Sequence, residues 1–257
     1  MNGETALAAT ATLVATAFCL STLERFLARR RPHELAWTIS LALFAGASGA
    51  LWLGAADGWT PATFRVFFLL GAILNVPWLA LGTVYLLAGS ATGDRCQRVL
   101  VWFTAFATGV VLATPLTGPV PADDLPRGSE VFGLLPRLFA GVCSGGAALV
   151  LVGGAIWSAW RLMRGRSRGR AAGPAAVPLR RLALGNVLIA VGTLVLSASG
   201  TLSARLGAMT AFAVTLVIGI TVLFAGFLVT VKPAFVQNSA HSAGFCTNLS
   251  SASQLAP

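Results

Sequence analysis

An all-α membrane bundle of seven transmembrane helices is the fold class that this sequence predicts, and three observations predict it. Of the 257 residues 56% are hydrophobic and only 10% charged, with a mean hydropathy of +0.80; a soluble domain carries about 25% charged residues. Seven segments approach the roughly 20 apolar residues that cross about 30 Å of hydrocarbon; they lie near 5–27, 35–56, 63–88, 98–114, 138–160, 182–203 and 209–231. Arginines gather in alternate loops. This composition excludes an ordinary soluble enzyme, a disordered chain and a fibrous repeat. The spans are read as helices because lipid offers no partner to an unpaired backbone group.

The elements follow in order. The first span has no basic stretch before it, and Arg29, Arg30 and Arg31 come after it, which reads as a retained signal anchor. Thr60-Pro61 predicts the start of the third span, with Thr60 as cap and Pro61 in the first turn. Arg65 lies in its outer turn, where its long stem can snorkel to the interface. The fourth span is the shortest, with Arg95 and Arg98 in the loop before it. In the exterior segment 115–137, Pro115, Pro119, Pro121 and Pro126 keep the backbone extended. Ser129 is positioned there to cap a short stretch holding Phe132, Leu134 and Leu135, either on the membrane surface or over the bundle mouth. In the fifth span Gly141-x-x-x-Gly145 is a small-residue pattern for close helix contact. The loop after it carries RLMRGRSRGR (161–170) and a Gly- and Pro-containing linker, 171–178. The domain is taken as 1–233, and the Ser-, Ala- and Asn-rich tail 234–257 reads as disordered.

Orientation follows from the loops. Those after spans one, three, five and seven hold most of the cations, ending with Lys232, whereas the opposite side holds Glu4, Asp57, Asp123, Asp124 and Glu130. Basic loops stay in the cytoplasm, so the N-terminus is expected outside and the tail inside, in the plasma membrane. The net charge of +10 is then a topology signal that also meets anionic lipid headgroups. Membrane lipids are the expected surroundings, and nucleic acid is not an expected partner. Trp37, Trp52, Trp59, Trp157 and Trp160 lie near span ends and fit an interfacial belt.

Chemistry is sparse. No acidic, basic or histidine residue falls in the middle of a span, and such residues mark pumps and voltage sensors. The one lysine follows the last span, too late to carry a retinal Schiff base. His33 and His241 are the only histidines, in a loop and in the tail, so no Ser-His or Cys-His pair can form inside the bundle. The four cysteines are far apart and imply neither a disulfide framework nor a zinc site. Asp123-Asp124 reads as a solvated pair. No enzyme activity, metal or cofactor is expected.

The polar residues left at bilayer depth are neutral. Pro77 removes a backbone donor and collides with the carbonyl of Ile73, which predicts a kink. Asn75 and Trp78 stand beside it. Asn186, Thr193 and Ser197 lie near one face of the sixth span, with Gly200 and Ala204 continuing the stripe. Asn75, Pro77, Trp78, Asn186, Thr193 and Ser197 form the candidate ligand-binding set. The plainer reading is helix contact through hydrogen bonds of about 1 kcal/mol. Two functions stay open: binding or transport of a small neutral or apolar molecule at the kink, or a non-transporting sensor or scaffold subunit of an envelope complex, with a second copy or another protein as partner. The stretches GAILNVPWLALGTVYLL (71–87) and GTLVLSASGTL (192–202) resemble uncharacterised actinobacterial seven-span integral membrane proteins. The resemblance runs up to Lys232 and implies the same architecture, with no activity attached.

Overall fold

The computed structural model describes residues 3–122, 124–166, 184, 187–189, 191–196 and 209–230. They form a helical bundle, and among them six helices are long and apolar enough to cross a membrane. In chain order these are α1 (Gly3–Arg29), α2 (Pro32–Asp57), α3 (Pro61–Phe67) continuing through a π segment (Phe68–Leu74) into α4 (Asn75–Ala88), and α5 (Ser90–Ala113). After the short α6 (Gly128–Val131) come α7 (Leu134–Phe139), a second π segment (Ala140–Ser144) and α8 (Gly145–Arg166). The shorter α9 (Val187–Leu196) precedes α10 (Met209–Thr230).

Spacing in the sequence explains the first contacts. Ala8, Ala11, Ala15, Phe18 and Thr22 recur every three or four residues and form the buried stripe of α1. Its small residues let α2 approach closely, and the Thr5 hydroxyl donates across to the Ala55 carbonyl at 3.1 Å. α1 also meets α10. Near the helix starts Thr210 Oγ1 donates to Glu4; further along, Phe18 meets Phe224 at 4.7 Å and Phe227 at 4.9 Å. Start lies beside start, so α1 and α10 run parallel. α8 likewise runs parallel to the α3–α4 helix, with Ser144 beside Ala72 and Gly154 beside Thr83 and Leu87.

Thr60 caps α3 as the sequence predicts, in a reciprocal box: its hydroxyl accepts from the Thr63 N–H at 3.2 Å, and Thr63 Oγ1 accepts from the Thr60 N–H at 2.9 Å. The effect of Pro77 is displaced from where the sequence put it. The helix widens into the π segment over the two turns before Asn75, whose N–H bonds to the Leu70 carbonyl five residues back. In that register the donor missing at Pro77 would have served Ala72, not Ile73. The Ala72 carbonyl instead accepts from the Ser144 hydroxyl on the neighbouring helix.

Arg65 runs towards the end of α5, and several other expectations are corrected. The Arg65 guanidinium donates to the carbonyls of Val111, Leu112 and Thr114, which a helix end leaves unpaired and which carry the negative end of the α5 dipole. Arg95 and Arg98 stand within α5, which begins at Ser90. Ser129 caps nothing: α6 is preceded by Arg127 and has no side-chain cap. Of the two placements open to segment 115–137, the structure has the one over the bundle. Phe132 is 1% exposed and stacks on Phe64 at 5.4 Å, and the Trp59 N–H donates to the Ala122 carbonyl at 3.0 Å. Trp59 itself is buried against Phe64 and Phe67, so it belongs to this cluster and not to an interfacial belt.

Candidate functional site: a cavity beside the third span

A cavity of about 680 Å³ opens between the α3–α4 helix, α2, α7–α8, α9 and α10, beneath residues 124–129. Its volume lies within the few hundred to a thousand Å³ of typical small-molecule sites. One wall is aromatic and aliphatic: Phe44 and Leu51 from α2, Phe64 and Phe68 from the third helix, Phe212 and Leu216 from α10. The opposite wall is nearly bare, because Ala140, Gly141, Gly145 and Ala148 present almost no side chain. Among the described residues nothing lies within 4 Å of where a Cβ on Gly141 or Gly145 would stand. The Gly-x-x-x-Gly pattern therefore leaves space here and, among the described residues, brings no helix close.

Polar groups punctuate this wall at two depths. Deep in the cavity lie Asn75, Ser144 and Thr193. Ser40 Oγ lies 2.7 Å from Asn75 Oδ1 and 3.0 Å from the Asn75 carbonyl, either of which can accept its proton. With its oxygen so engaged, the half-buried Asn75 amide keeps its N–H groups for the cavity. At the mouth stand Asp124, Arg127 and Arg137. Arg127 is 3.4 Å from Glu130, and Asp124 Oδ1 accepts the Leu125 N–H at 2.8 Å.

A second, narrow pocket of about 70 Å³ continues from the first, sharing Leu79 and Thr193 as walls and reaching Thr22, Trp37 and Phe227. Just beyond Phe227 lies a charge pair that the sequence does not announce, Arg25 falling near the end of the first span and Glu34 just before the second. Glu34 is 2% exposed and meets Arg25 at 3.4 Å, while Arg25 also sits 4.5 Å over the Phe227 ring. Arg25 Nη1 and Glu34 Oε2 are buried with no hydrogen-bond partner.

The six predicted site residues separate. Asn75 and Thr193 line the cavity together, from helices more than a hundred residues apart in sequence. Pro77 does not line it; it acts through the register of the wall. Trp78 faces the other way and donates from Nε1 to Thr104 Oγ1 on α5 at 3.2 Å. Asn186 and Ser197 lie outside the described residues, as do Gly200, Ala204, the linker 171–178 and the tail. Sequence reasoning missed Ser40, Ser144 and Arg137. A signal for Ser144 was present, since Gly141, Ser144, Gly145 and Ala148 share one helical face, but small residues on one face also fit close packing. Compared with protein-family models and with curated proteins, the chain matches none.

Proposed function

We propose that this is a seven-span protein of the plasma membrane, N-terminus outside and C-terminus inside, which takes a small, largely apolar molecule into the cavity beside its third span. The cavity carries the reading. A void of this size in a bundle otherwise packed by aromatic and aliphatic side chains forfeits dispersion contacts along its whole lining, and an occupant would restore them. Asn75 supplies a single oriented polar contact at depth.

Chain direction supports the seven spans. The helices α1, α2, α3–α4, α5 and α7–α8 make five passes, yet α10 starts beside the start of α1. This direction favours a further pass between α8 and α10, for which α9 is the candidate: Gly192 and Leu196 face Gly219 and Leu223 of α10. The arginine-rich loops then set the orientation. Reporter fusions after residue 165 should read cytoplasmic and fusions near residue 206 exterior; the opposite pattern overturns the topology.

The binding reading is tested on the purified full chain in phosphatidylcholine nanodiscs with photoreactive dodecanol, locating the labelled residues by mass spectrometry. Labelling should concentrate on Asn75, Val76 and Leu79, and Gly145→Phe, which fills open space, should abolish it. Labelling spread over outward-facing residues, or unchanged in a folded Gly145→Phe protein, overturns the reading.

A further inference from the structure

Resting on that reading, we propose that the molecule the cavity takes is an amphiphile with an anionic head, held at the mouth by Arg137 with Arg127, its single apolar chain running inward along the glycine wall towards Asn75. The cavity is chemically divided along its length. Its depth is lined by Phe44, Leu51, Phe68, Leu79 and Leu216, which would leave the charge of a small hydrophilic anion unsolvated. Its mouth carries guanidinium groups, which a wholly apolar guest would leave without use. Only a molecule with both characters matches both ends.

The mouth contains charges of both signs, and their partners decide which is available. Among the described residues the ion pairs are Arg25–Glu34 and Arg127–Glu130. Arg127 is thus half-committed, to a carboxylate that is itself exposed, and Asp124 accepts a backbone N–H of its own turn. Arg137 carries neither an ion pair nor a hydrogen bond from its side chain. It sits on α7 one turn before Gly141, where the bare wall begins, so an acid bound to it would already have its chain against that wall. Guanidinium recognises carboxylate and phosphate by the same two-pronged hydrogen bonding, so a fatty acid and a single-chain phospholipid share the required chemistry. A charge-assisted contact of this kind corresponds to roughly a tenfold change in affinity.

The same nanodisc preparation tests this by competition against the photoreactive dodecanol at neutral pH, using laurate, dodecyl phosphate and unlabelled dodecanol. Laurate, dodecyl phosphate or both should compete about tenfold better than dodecanol, and the stronger of the two identifies the head as carboxylate or phosphate. Arg137→Gln should erase that advantage while leaving dodecanol competition unchanged, and Arg137→Lys should restore part of it. Arg137 is exposed and its side chain makes no ion pair or hydrogen bond, so the variant remains testable. Equal competition by all three probes, or an acid advantage that survives Arg137→Gln, overturns the anionic head while the apolar cavity stands. Failure of Gly145→Phe to reduce labelling by dodecanol removes the cavity reading itself.

Discussion

Gly82 and Gly141 are both glycines within long apolar helices, and they serve opposite ends. A Cβ on Gly82 would land on the Trp37 indole of α2; a Cβ on Gly141 would meet nothing among the described residues. The contrast extends to the regions around them. Towards the Arg25–Glu34 end, α1, α2, α4 and α10 are locked by large rings against missing side chains, with Phe18 between Phe224 and Phe227 and Gly93 beneath Tyr85. Towards the Trp59 end, α2, the π segments, α8 and α10 stand apart around the cavity, with residues 124–129 at its mouth. The same residue type therefore gives tight packing where a ring fills the gap and a hollow where none does. Close contact and open space cannot be told apart by counting small residues.

Breaking the contrast starts with the largest effect. Gly82→Ala should destabilise the protein by about 3 kcal/mol, the upper part of the range for overpacking a filled site, read as a fall in thermal unfolding temperature in detergent. A loss below 1 kcal/mol would show that Trp37 moves aside freely. Glu34→Ala should cost about 2 kcal/mol, less than the 3–5 of a fully buried pair because Arg25 is 25% exposed at its side chain. Adding Arg25→Met to it should recover part of the loss by removing the stranded charge, and a double variant no more stable than the single one would contradict the pairing. Ser144→Ala should cost about 1 kcal/mol, the worth of one hydrogen bond to a carbonyl that Pro77 leaves vacant; Pro77→Ala introduced beside it should soften the effect by restoring a backbone donor. Gly141→Ala should change stability by less than about 0.5 kcal/mol, since nothing opposes the added methyl and alanine favours a helix. Equal losses at Gly82 and Gly141 would mean that the cavity wall is as closely packed as the rest.

How far the sequence reached can be traced residue by residue. Thr60 and Pro61 mark a helix start unaided, because a cap depends on atoms a few residues apart; the return bond from Thr63 is a finding of the structure. The helical class was legible for a related reason: long apolar runs admit few backbone solutions in lipid. Asn75 was legible as a polar group out of place. Pro77, two residues on, points to a different face of the helix; Trp78 is one turn on, yet its indole turns to Thr104 of α5, a choice made by the neighbouring helix and not by spacing. Glu34 was passed over because it opens α2 beside a loop; only the packing of α1 against α2 buries it and brings Arg25 across.

What the sequence determined by itself was set by hydrophobic matching and local backbone chemistry: apolar helices, the ends of several of them, and a basic bias between alternate loops. What only the tertiary structure decided was which helix each small or polar residue would meet. Arg65 becomes a helix cap and Ser144 fills the vacancy left by Pro77 through contacts between residues 46 to 72 positions apart, and Gly141 and Gly145 line a hollow. Such contacts depend on the angle and spacing of whole helices, which no local window of the chain encodes.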